Sequence, residues 1–278
     1  MAGKIANSWS LVKASARVLD QDRELLVFPL MSGIATVLVT ASFVAPLALT
    51  GGWEVFSEDS GSYLGYMVAF LFYVAQYTVI FFFNTALVGA AMIRLEGGDP
   101  TVSHGFAIAW KRIGVILEYA LLAATVGMIL RFLSERAGPL GRIVIGLLGI
   151  AWNLATYLAV PVLVSRNMGP IDTVKESAAL FKKTWGEQVA GNFGMGWIFF
   201  LAFFAWAAIG TGLIVGSAAL LPVSVIPAVG AVVLGFIVLA LVSSALRGVY
   251  AAALYQYATT GESAFYDQRI LGNAFRPK

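Results

Sequence analysis

The sequence predicts an all-α polytopic membrane protein with six transmembrane helices and about three cytoplasmic interfacial amphipathic helices. Of its 278 residues, 59% are hydrophobic and 12% are charged, whereas a soluble domain carries about 25% charged residues. Six separate apolar segments are each about as long as the 20 residues that a membrane-spanning helix needs. Three of the segments that precede these spans place apolar residues at helical spacing, which is typical of helices that lie on a membrane surface.

The six predicted spans cover residues 25–49, 63–93, 113–133, 143–164, 195–221 and 227–250. The second is long for one crossing, so we expect it to tilt or to project beyond the membrane. Glu118 interrupts the third span. An alternative with five spans, in which the third segment does not cross, therefore stays open.

The distribution of Lys and Arg predicts the orientation, because these residues are enriched in cytoplasmic loops. Fourteen of the 18 Lys and Arg residues lie before span 1, between spans 2 and 3, between spans 4 and 5, or after span 6. Arg131, Arg136 and Arg142 lie on the opposite side, and Arg247 lies inside span 6. Both termini are therefore predicted to be cytoplasmic.

The segment before each odd-numbered span has the pattern of an amphipathic helix. The predicted apolar faces consist of Ile5, Trp9, Val12, Ala16 and Leu19; of Val102, Phe106, Ala109 and Ile113; and of Ile171, Val174, Ala178, Phe181 and Trp185. We predict a single transmembrane domain, 1–260, built from three tandem units of about 1–97, 98–168 and 169–260, and a cytoplasmic tail, 261–278. The alternative is that these helices serve packing alone, without a repeat.

Four polar residues inside the predicted spans form the candidate intramembrane polar site. A charged group in a span costs roughly 2.5–3.5 kcal/mol on insertion scales, which makes Glu118 and Arg247 the first candidates. Both lie near the cytoplasmic ends of their spans, so they are at a depth where they could pair. Asn84 and Asn153 complete the set. The alternatives are structural: snorkelling of Arg247, a satisfied carboxylate at Glu118, and interhelical hydrogen bonds from the two amides.

The sequence predicts no catalytic residues, no metal, no cofactor and no nucleic-acid partner. The chain has no cysteine, one histidine and a net charge of +3, which removes thiolate chemistry and the usual zinc sites. Asp20, Asp22 and Glu24 cluster before span 1. They have the chemistry of a cation site, but alternating acids in a turn are usually solvated, so we predict no metal there.

Several stretches resemble a bacterial family of polytopic inner-membrane proteins that carries only a domain-of-unknown-function label. They are WSLVKASARVLDQDRELLVFPLMSG, the GGDP turn, VPVLVSRNMGPIDTVKESAALFKKTWGEQVAGNFG and ALYQYATTG. The resemblance extends over nearly the whole chain. It implies a multi-span fold in the bacterial cytoplasmic membrane, and it implies no substrate or catalytic residue.

The leading functional expectation is a non-enzymatic membrane component that binds a partner or organises a membrane complex. The third amphipathic segment carries both charge signs, which suits a protein partner at the cytoplasmic face at least as well as membrane lipids. The candidate partner-binding face consists of Lys175, Glu176, Lys182 and Lys183. A permease or handler of lipid-like molecules is the alternative, and a lipid-active membrane enzyme is the second alternative.

Overall fold

The computed structural model describes residues 2–56, 63–185, 195–220 and 225–261. The helices are α1 (Ala2–Gln21), α2 (Val27–Thr50), α3 (Tyr63–Leu95), α4 (Val102–Lys111), α5 (Ile113–Arg136), α6 (Pro139–Ala155), α7 (Ala159–Ser165), α8 (Pro170–Trp185), α9 (Met195–Leu220) and α10 (Val225–Thr260). Two short 3₁₀ helices, Arg23–Leu26 and Gly52–Phe56, flank α2. The described chain contains no strand, which confirms the predicted all-α class.

Six segments are long and apolar enough to cross a membrane, which confirms the predicted number of spans. They are Arg23–Thr50, Tyr63–Leu95, Ile113–Arg136, Pro139–Ser165, Gly196–Ala218 and Val225–Thr260. The third is among them although it contains Glu118, so the six-span prediction is favoured over the alternative with five. The predicted tail lies outside the described residues except for Gly261.

The second and sixth spans are longer than a bilayer is thick. With 33 and 36 residues, α3 and α10 extend about 50 Å or more, against about 30 Å of hydrocarbon. Residues 83–95 of α3 and 243–258 of α10 contain most of the buried residues of these helices, and they pack against each other and against α7. At the centre of this packing, Gly248 faces the fully buried side chain of Leu87.

The amphipathic helices cover these long ends. α4 packs on α3, α8 packs on α6 and α7, and α1 packs on α10. The helices α4 and α8 therefore each contact the span that precedes them in the chain. The first helix, α1, contacts the last span instead. We call α1, α4, α7, α8 and residues 83–95 and 243–258 the platform. A tandem threefold arrangement would require this packing, and the repeat itself stays a prediction.

The packed faces of α1 and α8 differ from the predicted ones. In α8, Ile171 is 59% exposed, and Thr173, Ser177 and Leu180 are buried in its place, together with Phe181. Ser177 Oγ accepts a hydrogen bond from the Leu158 N–H at this interface, and Thr173 Oγ1 donates to the Gly169 carbonyl just before its own helix.

In α1, Trp9 and Ala16 are exposed, whereas Ser15 and Val18 are buried beside Val12. The packed face of this helix is therefore rotated relative to the predicted one. The side chains of Ile5 and Trp185 lie outside the described residues.

The fourth span, predicted over 143–164, is a broken helix. α6 ends at Ala155 and α7 begins at Ala159. Pro161 explains the break, because a proline has no N–H for the carbonyl four residues earlier, here that of Tyr157, and its ring clashes with that carbonyl. The Leu158 N–H at the break donates to Ser177 Oγ of α8 over 3.0 Å, in a buried position, so the platform satisfies a backbone group that the span leaves free.

The parts of the spans beyond the platform are mostly exposed. Phe28 and Pro29 are the buried residues of α2, both at its platform end, and α6 has none within its described length. In a bilayer this apolar surface faces lipid. The buried residues are therefore concentrated at the platform, and the rest of the spans exposes much apolar surface to lipid.

The contact between α3 and α10 generates a stability prediction. We expect Gly248→Ala to lower the free energy of unfolding by about 1–3 kcal/mol, because a Cβ there would overlap the enclosed Leu87 side chain. Gly230→Ala in the same helix is the control, since nothing lies within 4 Å of a Cβ at that position. Thermal unfolding in detergent measures both. An equal effect of the two changes would contradict the tight packing at Gly248.

Candidate functional site

A buried ion pair joins the N-terminal segment to the end of α3. Arg94 donates from Nε and Nη2 to both carboxylate oxygens of Asp22, and the two side chains are 19% and 7% exposed. Arg94 Nη2 also lies 2.6 Å from Asp99 Oδ1, whose side chain is 90% exposed. Bidentate pairing of guanidinium and carboxylate fixes the geometry as well as the charge. The arginine therefore joins the end of α3 to the residue that follows α1 and to the loop before α4.

The acidic stretch before span 1 is engaged by protein groups. Glu24 Oε2 accepts a hydrogen bond from the Val102 N–H at the start of α4, over 3.1 Å. Asp20 pairs with Arg23 at 3.0 Å on the surface. No group of three or more His, Asp or Glu that could hold a metal is found among the described residues.

The single histidine has a local structural role. The backbone N–H of His104 donates to Thr101 Oγ1, and the backbone N–H of Thr101 donates to His104 Nδ1. This reciprocal capping box satisfies two backbone groups at the start of α4. It also fixes how the chain enters this helix.

A second set of polar contacts joins the middle of the chain to α8. Arg112 donates to Asn167 Oδ1 over 2.9 Å and to the Val164 carbonyl over 3.3 Å. Arg166 pairs with Glu176 at 2.8 Å. These bonds connect the entrance of α5 with the exit of α7 and with α8.

The four predicted partner-binding residues of α8 divide into two pairs. Glu176 is held by Arg166, and Lys183 Nζ donates to the Ala258 carbonyl near the end of α10, over 3.4 Å. Lys175 and Lys182 are exposed, and Lys175 has a surface contact with Asp172 at 3.3 Å. Together with Ile171 and Ala179, Lys175 and Lys182 form an exposed stripe along α8, which we call the α8 stripe.

The four intramembrane candidates lie at separate places on the bundle. Glu118 and Asn153 are exposed on α5 and α6, and Asn84 is half-buried on α3. Arg247 is exposed, with its guanidinium carbon 5.7 Å from the centre of the Phe199 ring. Within the described chain, no hydrogen bond or ion pair joins any two of these four residues. Their functional roles stay predictions.

A further intramembrane amide, that of Gln76, is not among the predicted site residues. Gln76 Nε2 donates to Thr40 Oγ1 over 2.7 Å and to the Thr36 carbonyl over 3.3 Å, which ties α3 to α2. Such a bond is typical of polar groups between membrane helices. Gln76 stands in the same apolar run as Asn84, so the same criterion would have found it.

A different face of α3 packs on α5 through aromatic rings. Tyr77 stacks on Phe81, and Phe81 meets Tyr119 edge to face at a centroid distance of 4.7 Å. At the far end of this row, Arg131 donates to the Tyr73 hydroxyl over 2.8 Å. α3 thus uses one face for α2 and another for α5.

The buried pair at Asp22 generates the second prediction. We expect Asp22→Asn to destabilise the protein by about 3–5 kcal/mol, because it leaves the mostly buried guanidinium of Arg94 without its main counter-charge. Asp99→Asn removes the exposed partner of the same arginine, and we expect a change of about 0–1 kcal/mol. Unfolding in detergent measures both variants. Equal losses of unfolding free energy in the two variants would contradict a larger contribution from the buried pair.

Comparison with known families supports the resemblance seen in the sequence. A family described as of unknown function, DUF6159, matches residues 63–265. Comparison with curated proteins and with solved structures gave no match. The family match covers all spans from the second to the sixth together with α4 and α8. The chain therefore belongs to the family of unknown function DUF6159.

Proposed function

We propose that the protein is a non-enzymatic component of the bacterial cytoplasmic membrane whose platform binds a protein partner or organises a membrane complex. Both termini and the platform lie in the cytoplasm in this proposal. The excess of Lys and Arg in the segments that form the platform supports this orientation. The family resemblance in the sequence supports the choice of membrane.

The α8 stripe is the observation that carries the proposal. Several charged groups in or beside the platform are engaged within the chain, as Arg94, Arg112 and Arg166 illustrate. Lys175 and Lys182 instead point outward on a helix whose other face is anchored by buried bonds. A rigid helix that offers exposed cations beside an apolar side chain, Ile171, suits an acidic protein surface.

The test is co-purification with a charge-reversed stripe. We expect a stoichiometric partner protein to purify with the wild type and to be lost from the double variant Lys175→Glu, Lys182→Glu. Lys183 is left unchanged, because its contact with α10 makes it part of the packing. Quantitative mass spectrometry of the purified complexes in mild detergent measures the ratio.

Lys111→Glu on α4 is the matched control. This lysine is exposed on the platform and outside the α8 stripe, so its reversal should leave the partner bound. Retention of the same partner at the same ratio by the double variant would contradict the proposed surface. Loss of the partner in both variants would indicate a general effect of platform charge and would also contradict it.

We propose the handling of lipid-like molecules as a second candidate function, supported by the exposed apolar surface of α10 beyond the platform. Ile237 and Leu234 lie on the same face of α10 as Gly248, which packs on α3, yet they are 46% and 63% exposed. On α3, Asn84 lies near the Leu87 face and is half-buried. This side of the bundle therefore offers apolar surface and one amide to a lipid-like molecule.

Lipid transfer in vesicles tests this second function. We expect wild-type protein in vesicles to accelerate the movement of a fluorescent phospholipid between leaflets, which is measured by chemical quenching from outside. Leu234→Trp should slow this movement, because the larger side chain alters the exposed apolar surface of α10. Leu147→Trp on the exposed face of α6 is the control and should have no effect. A rate equal to that of protein-free vesicles would exclude the transfer activity.

A further inference from the structure

We propose that Arg247 binds the phosphate group of a membrane phospholipid. The acyl chain of this lipid lies along the exposed face of α10 that begins at Arg247. This inference goes beyond both proposed functions and depends on neither, because such a lipid would be bound whether the protein is a partner-binding component or a lipid handler.

The position of Arg247 along α10 corresponds to the level of lipid headgroups. Residues 225–246 contain no charged side chain and extend about 33 Å at 1.5 Å per residue, close to the thickness of the hydrocarbon core. Arg247 lies within the platform segment 243–258, where Ser243, Leu246 and Val249 are buried on either side of it. Its exposed guanidinium therefore lies on the platform, close to where the hydrocarbon ends.

Arg247 differs in its partners from three other arginines on this side of the spans. Arg94 and Arg166 have carboxylates within the chain, and Arg112 has an amide and a carbonyl oxygen. The described residues provide Arg247 with no carboxylate partner, and its side chain is exposed. A guanidinium beside hydrocarbon requires an anion, and its planar donor fork matches phosphate oxygens.

The surroundings of Arg247 favour a lipid as the source of the phosphate. The guanidinium lies over the Phe199 ring at 5.7 Å, an arrangement in which the ring faces the cation and restricts its orientation. Ala240, Val233 and Val229 lie towards the same side of α10 as Arg247 and are exposed, beyond the buried Ser243. This face extends from the guanidinium into the hydrocarbon. Such a surface can contact the acyl chain of a lipid phosphate, whereas a free anion has no chain to place there.

The experiment is a lipid titration of the purified protein by native mass spectrometry, with dioleoylphosphatidylglycerol as the probe. We expect the wild type to hold one lipid with an affinity at least about tenfold higher than Arg247→Gln, since hydrogen bonds to charged groups contribute about that much. Arg247→Lys should bind with intermediate affinity, because it keeps the charge and loses the fork. Arg142→Gln, at an exposed arginine at the other end of the bundle, should bind like the wild type.

Two outcomes would overturn the proposal. The first is an unchanged affinity of Arg247→Gln. The second is displacement of the lipid by millimolar inorganic phosphate, which would assign the site to a free anion. A thermal unfolding scan without added lipid accompanies each variant. If Arg247→Gln is less stable than the wild type, the lipid affinities of Arg247→Lys and the wild type are compared instead. Equal lipid affinity of these two proteins would also overturn the role of the guanidinium fork.

Discussion

Two spans that are longer than the hydrocarbon core set the architecture of this protein. The ends of α3 and α10 must project from the membrane, and the projecting residues are largely apolar. In water that surface is costly, at roughly 25 cal/mol per Å². The amphipathic helices α1, α4 and α8 cover it, and α7 completes the packing between them. The platform therefore follows from the length of two helices and the need to bury their ends.

The location of the polar contacts follows from the same constraint. Charged groups are costly inside hydrocarbon, so the bonds that join distant segments are concentrated at the platform. Asp22 and Arg94 are the most buried example, and Ser177 at the broken fourth span is an uncharged one. Within the spans, Gln76 joins α2 to α3 through an amide instead. Rigidity is thus built at one end, and the membrane-facing ends are free to diverge.

This division between a rigid end and an open end relates the proposals to one another. The α8 stripe lies on the rigid platform, where an exposed helix face keeps a fixed orientation for a protein partner. Asn84 on α3 and the lipid site proposed at Arg247 lie on the membrane side of the platform. A phosphate bound at Arg247 would hold the platform at a defined depth in the bilayer, which is compatible with either function.

The sequence by itself determined the number of spans, the all-α class and the existence of the amphipathic helices. These features are local, since they depend on the length of apolar runs and on helical spacing within a few turns. The family resemblance was also readable from contiguous stretches such as ALYQYATTG. The ion pair between Glu176 and Arg166 could not be predicted from the sequence, because Arg166 could equally have remained in solvent.

Only the tertiary structure decided which faces pack and which charges meet. Asp22 and Arg94 are 72 positions apart, and no periodic pattern relates residues at such a separation. The packed face of α8 was predicted only in part. Phe181 is buried as expected, whereas Ile171 is exposed and Thr173 and Ser177 are buried. Ser177 Oγ accepts from the Leu158 N–H of the fourth span, and Thr173 Oγ1 donates to the nearby Gly169 carbonyl. Burial of a polar residue depends on what lies opposite it, and that partner is supplied by another part of the chain.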